Sequence, residues 1–120
     1  YNRARTQDET KTMAVTQFVV PLQGSSTDRY RHSHVLDKGR ITAFTIQYEA
    51  EIAGEWRPIV RYDTAHGRSH KDVLFPDGTE AKEEFPHYTL AQVLTLGQND
   101  IRKRWKQYRE RYEKEMRRRK

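Results

Sequence analysis

Residues 44–52, FTIQYEAEI, decide the fold. Apolar residues occupy every second position of this stretch, and the residues between them are polar. A period of two with one apolar face predicts a half-buried antiparallel strand. Ala53-Gly54 predicts a tight turn, after which residues 56–63 return as a partner strand. Pro58 has no backbone N–H to donate, so we expect the returning strand to lie at a sheet edge or to bulge there.

Further strands flank this pair, and a long helix follows them. Short apolar or alternating runs separated by turn residues extend from residue 14 to residue 85. They predict an antiparallel meander of four or five strands. Thr89 and Gln92 have the spacing of a capping box, and apolar residues then recur at spacings of three and four, which predicts an amphipathic helix over residues 89–119. The expected fold class is α+β, with a sheet covered by one long, basic C-terminal helix.

The helical stripe and the alternating strands define the expected core. The helix residues expected against the sheet are Leu90, Val93, Leu94, Ile101 and Trp105. The sheet residues expected beneath them are Phe44, Ile46, Tyr48, Ile52, Trp56, Val60 and Tyr62. Gly97 leaves open whether the helix is continuous or broken in two. A continuous helix would be about 45 Å long, whereas a seven-residue strand spans about 23 Å, so we expect the distal turns to project beyond the sheet.

Length and composition predict one small domain. The 120 residues, of which only 34% are apolar, suffice for a single thin core. We expect a flexible leader over residues 1–13 and one domain over residues 14–120, with the sheet in 14–85 and the helix in 89–119. The chain has no cysteine, which excludes disulfides and thiolate chemistry, and it has no apolar stretch of membrane-spanning length. We expect a cytoplasmic protein without membrane contact.

Positive charge is concentrated at the end of the chain. Residues 101–120 contain eleven Lys or Arg and three Glu, whereas the other hundred residues contain twelve Lys or Arg and fourteen Asp or Glu. Such a surface attracts phosphates, because bound cations release condensed counterions, and Arg can also bind phosphate through two hydrogen bonds and stack on exposed bases. The residues expected to bind nucleic acid are Arg102, Lys103, Trp105, Lys106, Tyr108, Arg109, Arg111, Lys114, Arg117 and Arg118. A protein partner with an acidic groove and a merely solvated helix face are the alternatives.

A second informative segment lies at residues 61–72, between two expected strands. It predicts a metal-independent ribonuclease site in which His66 and His70 act as base and acid and Asp63 orients a histidine. Arg61, Arg68 or Lys71 would bind phosphate there. The alternative is structural, with Asp63 capping the turn and paired charges decorating the strands. Whether the protein is an enzyme stays open on this pattern.

No cofactor and no metal site is predicted. His32 and His34 share one face of a strand and, with Asp63 and His66 or His70, would make an N and O ligand set. The neighbouring arginines oppose a dication, so we do not expect this set to form a site. Glu49 and Glu51 are expected to be solubilising residues on an exposed strand face. Gly-rich phosphate loops and nucleophile elbows are absent from the sequence.

The run Arg61-Tyr62-Asp63-Thr64-Ala65-His66 resembles the Arg-Tyr-Asp-x-Ala segment of small bacterial TumE-like toxin components of toxin–antitoxin pairs. It is also similar to bacterial domains with a Tyr-Asp-x-Ala-His-Gly core. The resemblance covers about a tenth of the chain. It implies an RNA-linked activity of the mobile-element or defence type and an antitoxin as partner, and it assigns no catalytic residues.

Two functions are therefore expected. The first is a small RNA-directed protein whose basic helix binds phosphate and whose histidine hairpin supplies any chemistry. The second is a non-catalytic interaction module whose helix docks on a larger protein or ribonucleoprotein complex.

Overall fold

The computed structural model describes residues 13–118, which form one antiparallel sheet and one helix. The strands are β1 Met13–Pro21, β2 Asp28–Asp37, β3 Arg40–Ile52, β4 Glu55–Ala65, β5 Arg68–Leu74 and β6 Glu80–Glu84. They pair in sequence order, and the helix α1, Leu90–Arg118, follows the last strand. The α+β class is confirmed. The predicted count of four or five strands is wrong, because β1 and β6 both pair and make six.

The predicted leader lies outside the described residues except for Met13, which begins β1. Residues 119 and 120, at the end of the predicted helix, also lie outside them. The helix itself, although 29 residues long, is too polar to cross a membrane.

The helix covers one side of the sheet, which we call the helix side; the other side is the open face. On β3 the alternate residues Phe44, Ile46, Tyr48 and Ala50 are buried against α1 or its neighbours. Val93, Leu94, Ile101 and Trp105 of the helix complete this core, as the periodicity predicted. The side chains between them on β3 point to the open face, because successive residues of a strand alternate.

A bulge in β4 explains one error in the predicted core. Tyr48 pairs with Val60 but Glu49 pairs with Pro58, so the strand carries one extra residue at the position where Pro58 was expected to disturb it. Val60 remains on the helix side, whereas Trp56 is shifted to the open face and is 38% exposed. Trp56 is therefore not a core residue, although it has the same sequence parity as Val60.

The helix begins with the predicted capping box and continues through Gly97. The Thr89 backbone N–H donates to the Gln92 side chain at 2.8 Å, and the Gln92 N–H donates to the Thr89 hydroxyl at 3.1 Å. Gly97 does not break the helix. It allows the helix backbone to lie directly on the sheet, because a Cβ at that position would be 2.8 Å from Ile46 Cδ1 and 2.9 Å from Tyr62 Cγ.

The predicted projection of the distal turns is wrong. Tyr112 is buried and Met116 packs against the core, so the helix follows the sheet almost to its end. β3 has 13 residues and spans about 43 Å, so it is much longer than the seven-residue strand on which the prediction was based. The predicted projection assumed strands half as long.

Two buried carboxylates hold the helix to the sheet. Asp100 accepts hydrogen bonds of 2.6 Å from both the Tyr62 and the Tyr108 hydroxyls. Asp28 accepts hydrogen bonds from the Tyr48 hydroxyl and from Arg109, whose guanidinium lies 2.9 Å away. Burial raises the pKa of each carboxyl, but these hydrogen bonds and the nearby cations outweigh burial, so both pKa values lie below their usual range.

Candidate functional site

The outward side of α1 carries most of the predicted nucleic-acid-binding residues. We define the cationic face as its exposed Lys and Arg side chains: Arg102, Lys103, Arg104, Lys106, Lys114, Arg117 and Arg118. At 1.5 Å per residue the face extends over about 24 Å of helix. Arg104 was not among the predicted residues, although it lies in the same run.

Only part of this positive charge is neutralised within the molecule. Arg104 pairs with Asp100 at 3.1 Å and Arg118 pairs with Glu115 at 3.0 Å. Within residues 13–118 the remaining five cations of the face make no ion pair. Unpaired, solvated cations on one surface are the arrangement that a polyanion can use.

Two of the predicted aromatic contacts are engaged in the fold. Trp105 is buried and packs edge-on against Tyr48, with ring centres 6.0 Å apart. The Tyr108 hydroxyl donates to Asp100 and also accepts a hydrogen bond of 2.8 Å from Lys71. The aromatic stripe therefore faces the sheet, and both predicted nucleic-acid-binding aromatic residues make contacts within the fold. The spacing that made the stripe conspicuous is the spacing of a core.

Two of the predicted basic residues are also engaged inward. Arg109 donates to Asp28, to the Thr27 carbonyl at 3.3 Å and to the Glu51 carbonyl at 3.2 Å, so it links the helix to β2, to β3 and to the loop before β2. The Arg111 guanidinium lies over the Phe75 ring at 5.1 Å. Burial lowers the pKa of Arg111. Neither side chain belongs to the cationic face.

The structure separates the predicted catalytic residues. His70, Asp63 and Arg61 lie on the open face, where His70 Nε2 approaches Asp63 Oδ1 to 2.6 Å. Lys71, the next residue after His70, points to the helix side and contacts Tyr108. His66 is exposed at the tip of the β4–β5 hairpin, in the left-handed region with a φ of 55°. The five residues therefore do not form one site.

The histidine–carboxylate pair on the open face has a distinctive environment. Apart from His70, no group in residues 13–118 lies in position to donate a hydrogen bond to the buried Asp63 Oδ1. Burial raises the pKa of Asp63 and the Asp72 charge adds to the rise, whereas His70 opposes it. A carboxylate beside an imidazole can orient the ring and stabilise its protonated form, which is the part of general acid–base chemistry that this pair can perform.

We call Asp63, His70, Asp72 and Lys82 the open-face cluster; its two aspartates and its histidine could hold a metal ion. Ligand atoms of Asp63, His70 and Asp72 lie within 4.8 Å of one another. Lys82 Nζ lies 2.9 Å from Asp72 Oδ1 and already supplies a positive charge there. A cation would have to displace Lys82, so the arrangement favours an ion-paired cluster.

The other predicted histidine set is not assembled. His32 and His34 lie on the helix side, across the sheet from Asp63 and His70. They belong to a hydrogen-bonded chain in which the Tyr30 hydroxyl is 2.7 Å from His32 Nδ1 and His32 Nε2 is 2.7 Å from His34 Nδ1. Burial, with the charge of His34, lowers the pKa of His32, and burial raises the pKa of Tyr30 to about 12. Tyr30, His32 and His34 alternate in the sequence, which places them on one side of β2, but Tyr30 was not predicted to belong to this set.

Glu49 corrects a further prediction. It is buried on the open face and pairs with Arg29 at 2.6 Å and Arg31 at 2.8 Å, so it is not a solubilising residue. Its pKa is raised by burial and lowered more strongly by the hydrogen bonds from Arg31, Arg29 and Gln47. The buried Glu49 carboxylate therefore partly neutralises the positive charge of Arg29 and Arg31.

The model of a family described as a domain of unknown function (DUF7718) matches residues 7–118. The chain belongs to this family. No curated protein and no solved structure matches it. The match includes the whole described sheet and helix, so the cationic face and the open-face cluster both lie within the family domain.

Proposed function

We propose that this protein binds RNA through the cationic face of α1. The observation that carries the proposal is the set of five cations, Arg102, Lys103, Lys106, Lys114 and Arg117, which have no ion pair within the described chain. Phosphates binding there would release counterions from the RNA without breaking an internal ion pair. The TumE-like resemblance supports RNA as the polyanion, and the mobile-element or defence type as the biological setting.

The open face is a weaker candidate for this role, although it also carries cations. Arg29 and Arg31 are bound to Glu49, and Lys82 is bound to Asp72. Arg61 donates to Gln47 at 2.7 Å. A phosphate binding to this face would compete with carboxylates already in place, so the gain in electrostatic free energy would be smaller.

Binding and any catalysis would use different sides of the protein. The cationic face points away from the sheet, and His70 with Asp63 lies across the sheet on the open face. This separation favours a binding protein over a ribonuclease in which one RNA segment contacts both surfaces. The 2.6 Å approach of His70 to Asp63 is the observation that keeps a metal-independent ribonuclease as the second candidate.

A titration of the protein with a short single-stranded RNA at several salt concentrations tests the binding proposal. Four phosphate contacts predict a slope of about −3 for log K against log salt, equivalent to a roughly 50-fold loss of affinity between 50 and 200 mM salt. Lys106→Gln with Lys114→Gln should halve that slope. Lys38→Gln with Arg40→Gln, which removes the same charge from the exposed β2–β3 turn, is the matched control and should change the slope little.

Absence of binding at low salt would overturn the proposal, as would equal effects of the two double variants. Binding to an acidic protein instead of RNA would support the interaction module. For the second candidate, His70→Ala and Asp63→Asn should abolish cleavage of labelled RNA without weakening binding, with His66→Ala as the comparison. Unchanged cleavage in His70→Ala would exclude the open-face pair as the catalytic site.

A further inference from the structure

The first strand is an unprotected sheet edge. Within residues 13–118, β1 pairs only with β2, and all nine of its residues are exposed. Its sequence, MAVTQFVVP, contains no charged residue. Val15 is 59% exposed, and Phe18, Val19 and Val20 are each more than 40% exposed. An edge strand of this length with apolar side chains and free backbone groups is a template for pairing with another strand.

The opposite edge shows the contrast. β6 has the sequence EAKEE, so four of its five residues are charged. Charged side chains on an edge discourage pairing with another sheet. The two edge strands of this sheet therefore differ in charge: β6 is protected against pairing with another sheet by its charged side chains, and β1 is not.

The preceding residues are poorly suited to cover β1. Residues 1–12 have the sequence YNRARTQDETKT, which contains five charged residues and only Tyr1 and Ala4 as apolar ones. Burying charged side chains against the valines would cost free energy without compensation. An apolar, uncharged occupant fits the edge better.

The strand is complementary to itself. In an antiparallel pair centred on Gln17, all nine residues of each copy are paired. On the open face Val15 lies opposite Val19 of the second copy, and on the helix side Ala14 lies opposite Val20 and Thr16 opposite Phe18. Apolar pairs thus match on both faces, no like charges meet, and cross-strand pairs of β-branched and aromatic residues are stabilising. A two-fold axis through Gln17 makes the contact isologous and closed.

We infer that two copies of this chain associate through β1 and form a continuous twelve-stranded antiparallel sheet. The occupant of the edge is the β1 strand of a second copy, held by backbone hydrogen bonds and by the valine and phenylalanine contacts. Pairing about a two-fold axis perpendicular to the sheet leaves both helices on the same side. The dimer then presents two cationic faces to one polyanion.

A charge-swap experiment tests both the contact and its register. The mass in solution is measured by light scattering for the full chain and for two variants, across a dilution series. The wild type should have twice the 14.4 kDa mass of one chain. Val15→Lys with Val19→Lys places two lysines opposite each other and should halve the mass. Val15→Lys with Val19→Glu places each lysine opposite a glutamate and should restore the dimer.

The control carries two lysines at exposed positions outside β1, Thr42→Lys with Ala81→Lys, and should remain dimeric. Circular dichroism shows whether each variant is folded. A monomeric wild type would overturn the inference. A double-lysine variant that is folded and dimeric would also overturn it, and so would a lysine–glutamate variant that is folded and monomeric, because neither result fits Val15 opposite Val19 of the second copy. If the double-lysine variant fails to fold, a folded and monomeric lysine–glutamate variant still overturns the inference.

Discussion

Gly97→Ala is the substitution whose effect can be worked out most directly from the structure. The added Cβ would lie 2.8 Å from Ile46 Cδ1 and 2.9 and 3.0 Å from two atoms of the Tyr62 ring. Both side chains are fully buried, and the Tyr62 ring cannot retreat because its hydroxyl donates to Asp100 at 2.6 Å. Accommodating the methyl group therefore requires the helix to move away from the sheet.

Overpacking a well-packed core costs about 1–3 kcal/mol, and three close contacts with buried groups place this site at the upper end. Alanine returns about 1 kcal/mol through its higher helix propensity. We expect a net loss of about 2 kcal/mol, or a fall in Tm of about 10 °C for a domain of this size. The assay is urea unfolding followed by circular dichroism. Gln107→Ala, at an exposed helix position, is the control and should change stability by less than about 0.5 kcal/mol.

A double-mutant cycle identifies the clash itself. Ile46→Val removes the Cδ1 atom that the new methyl group meets and on its own costs about 0.5–1.5 kcal/mol. Combined with Gly97→Ala, it should cost less than the sum of the two single changes, because part of the overlap is gone. A Gly97→Ala protein as stable as the wild type, or strictly additive effects, would refute the reasoning that the glycine permits the close approach.

Three further predictions concern stability. Arg109→Lys keeps the charge but loses the forked contacts to Asp28 and two carbonyls, so it should cost about 1–2 kcal/mol in urea unfolding; an unchanged midpoint would show that Arg109 is not an anchor. The folded-state pKa values of Asp28 and Asp100 lie below the ordinary 3.8, so their stabilisation is present above that value and is lost as the pH falls through the lower folded pKa values. The urea concentration at the unfolding midpoint should therefore fall when the pH is lowered below about 4, and this fall should be shallower in Asp100→Asn. An equally steep fall in that variant would show that other groups cause the loss of stability. His66→Gly should raise stability by about 0.5 kcal/mol in thermal unfolding, because His66 has a φ of 55° that glycine adopts without strain, and a lower Tm would contradict this.

The sequence pattern predicted the core where a single period ran without interruption. The alternation of β3 and the helical spacing from Val93 to Trp105 both reflect burial on one side, and the structure places those residues accordingly. The pattern failed for Trp56, because the extra residue beside Pro58 moves the side chains before it to the other side of the sheet. The position of that extra residue is set by the pairing of β4 with β3, which the sequence pattern does not contain.

The candidate site was less predictable, because proximity in sequence was taken for proximity in space. His70 and Lys71 are neighbours in the chain, and for that reason they point to opposite sides of a strand. Asp100 and Glu49 are charged residues whose burial depends on partners elsewhere in the chain, such as Tyr62 and Arg29. Composition predicts exposure for such residues, and only the tertiary pairing reverses it.

The order of the elements has a consequence for biosynthesis. Each strand pairs with the strand made just before it, so the sheet can grow as the chain leaves the ribosome. The helix that covers the sheet is encoded after all six strands, and its 29 residues take about 1.5–6 s to translate at bacterial or eukaryotic rates. During that interval Ile46, Tyr48 and Tyr62 have no cover. The nascent sheet is then a substrate for chaperones, and slow translation of residues 90–118 would lower the yield of native protein even where the finished fold is stable.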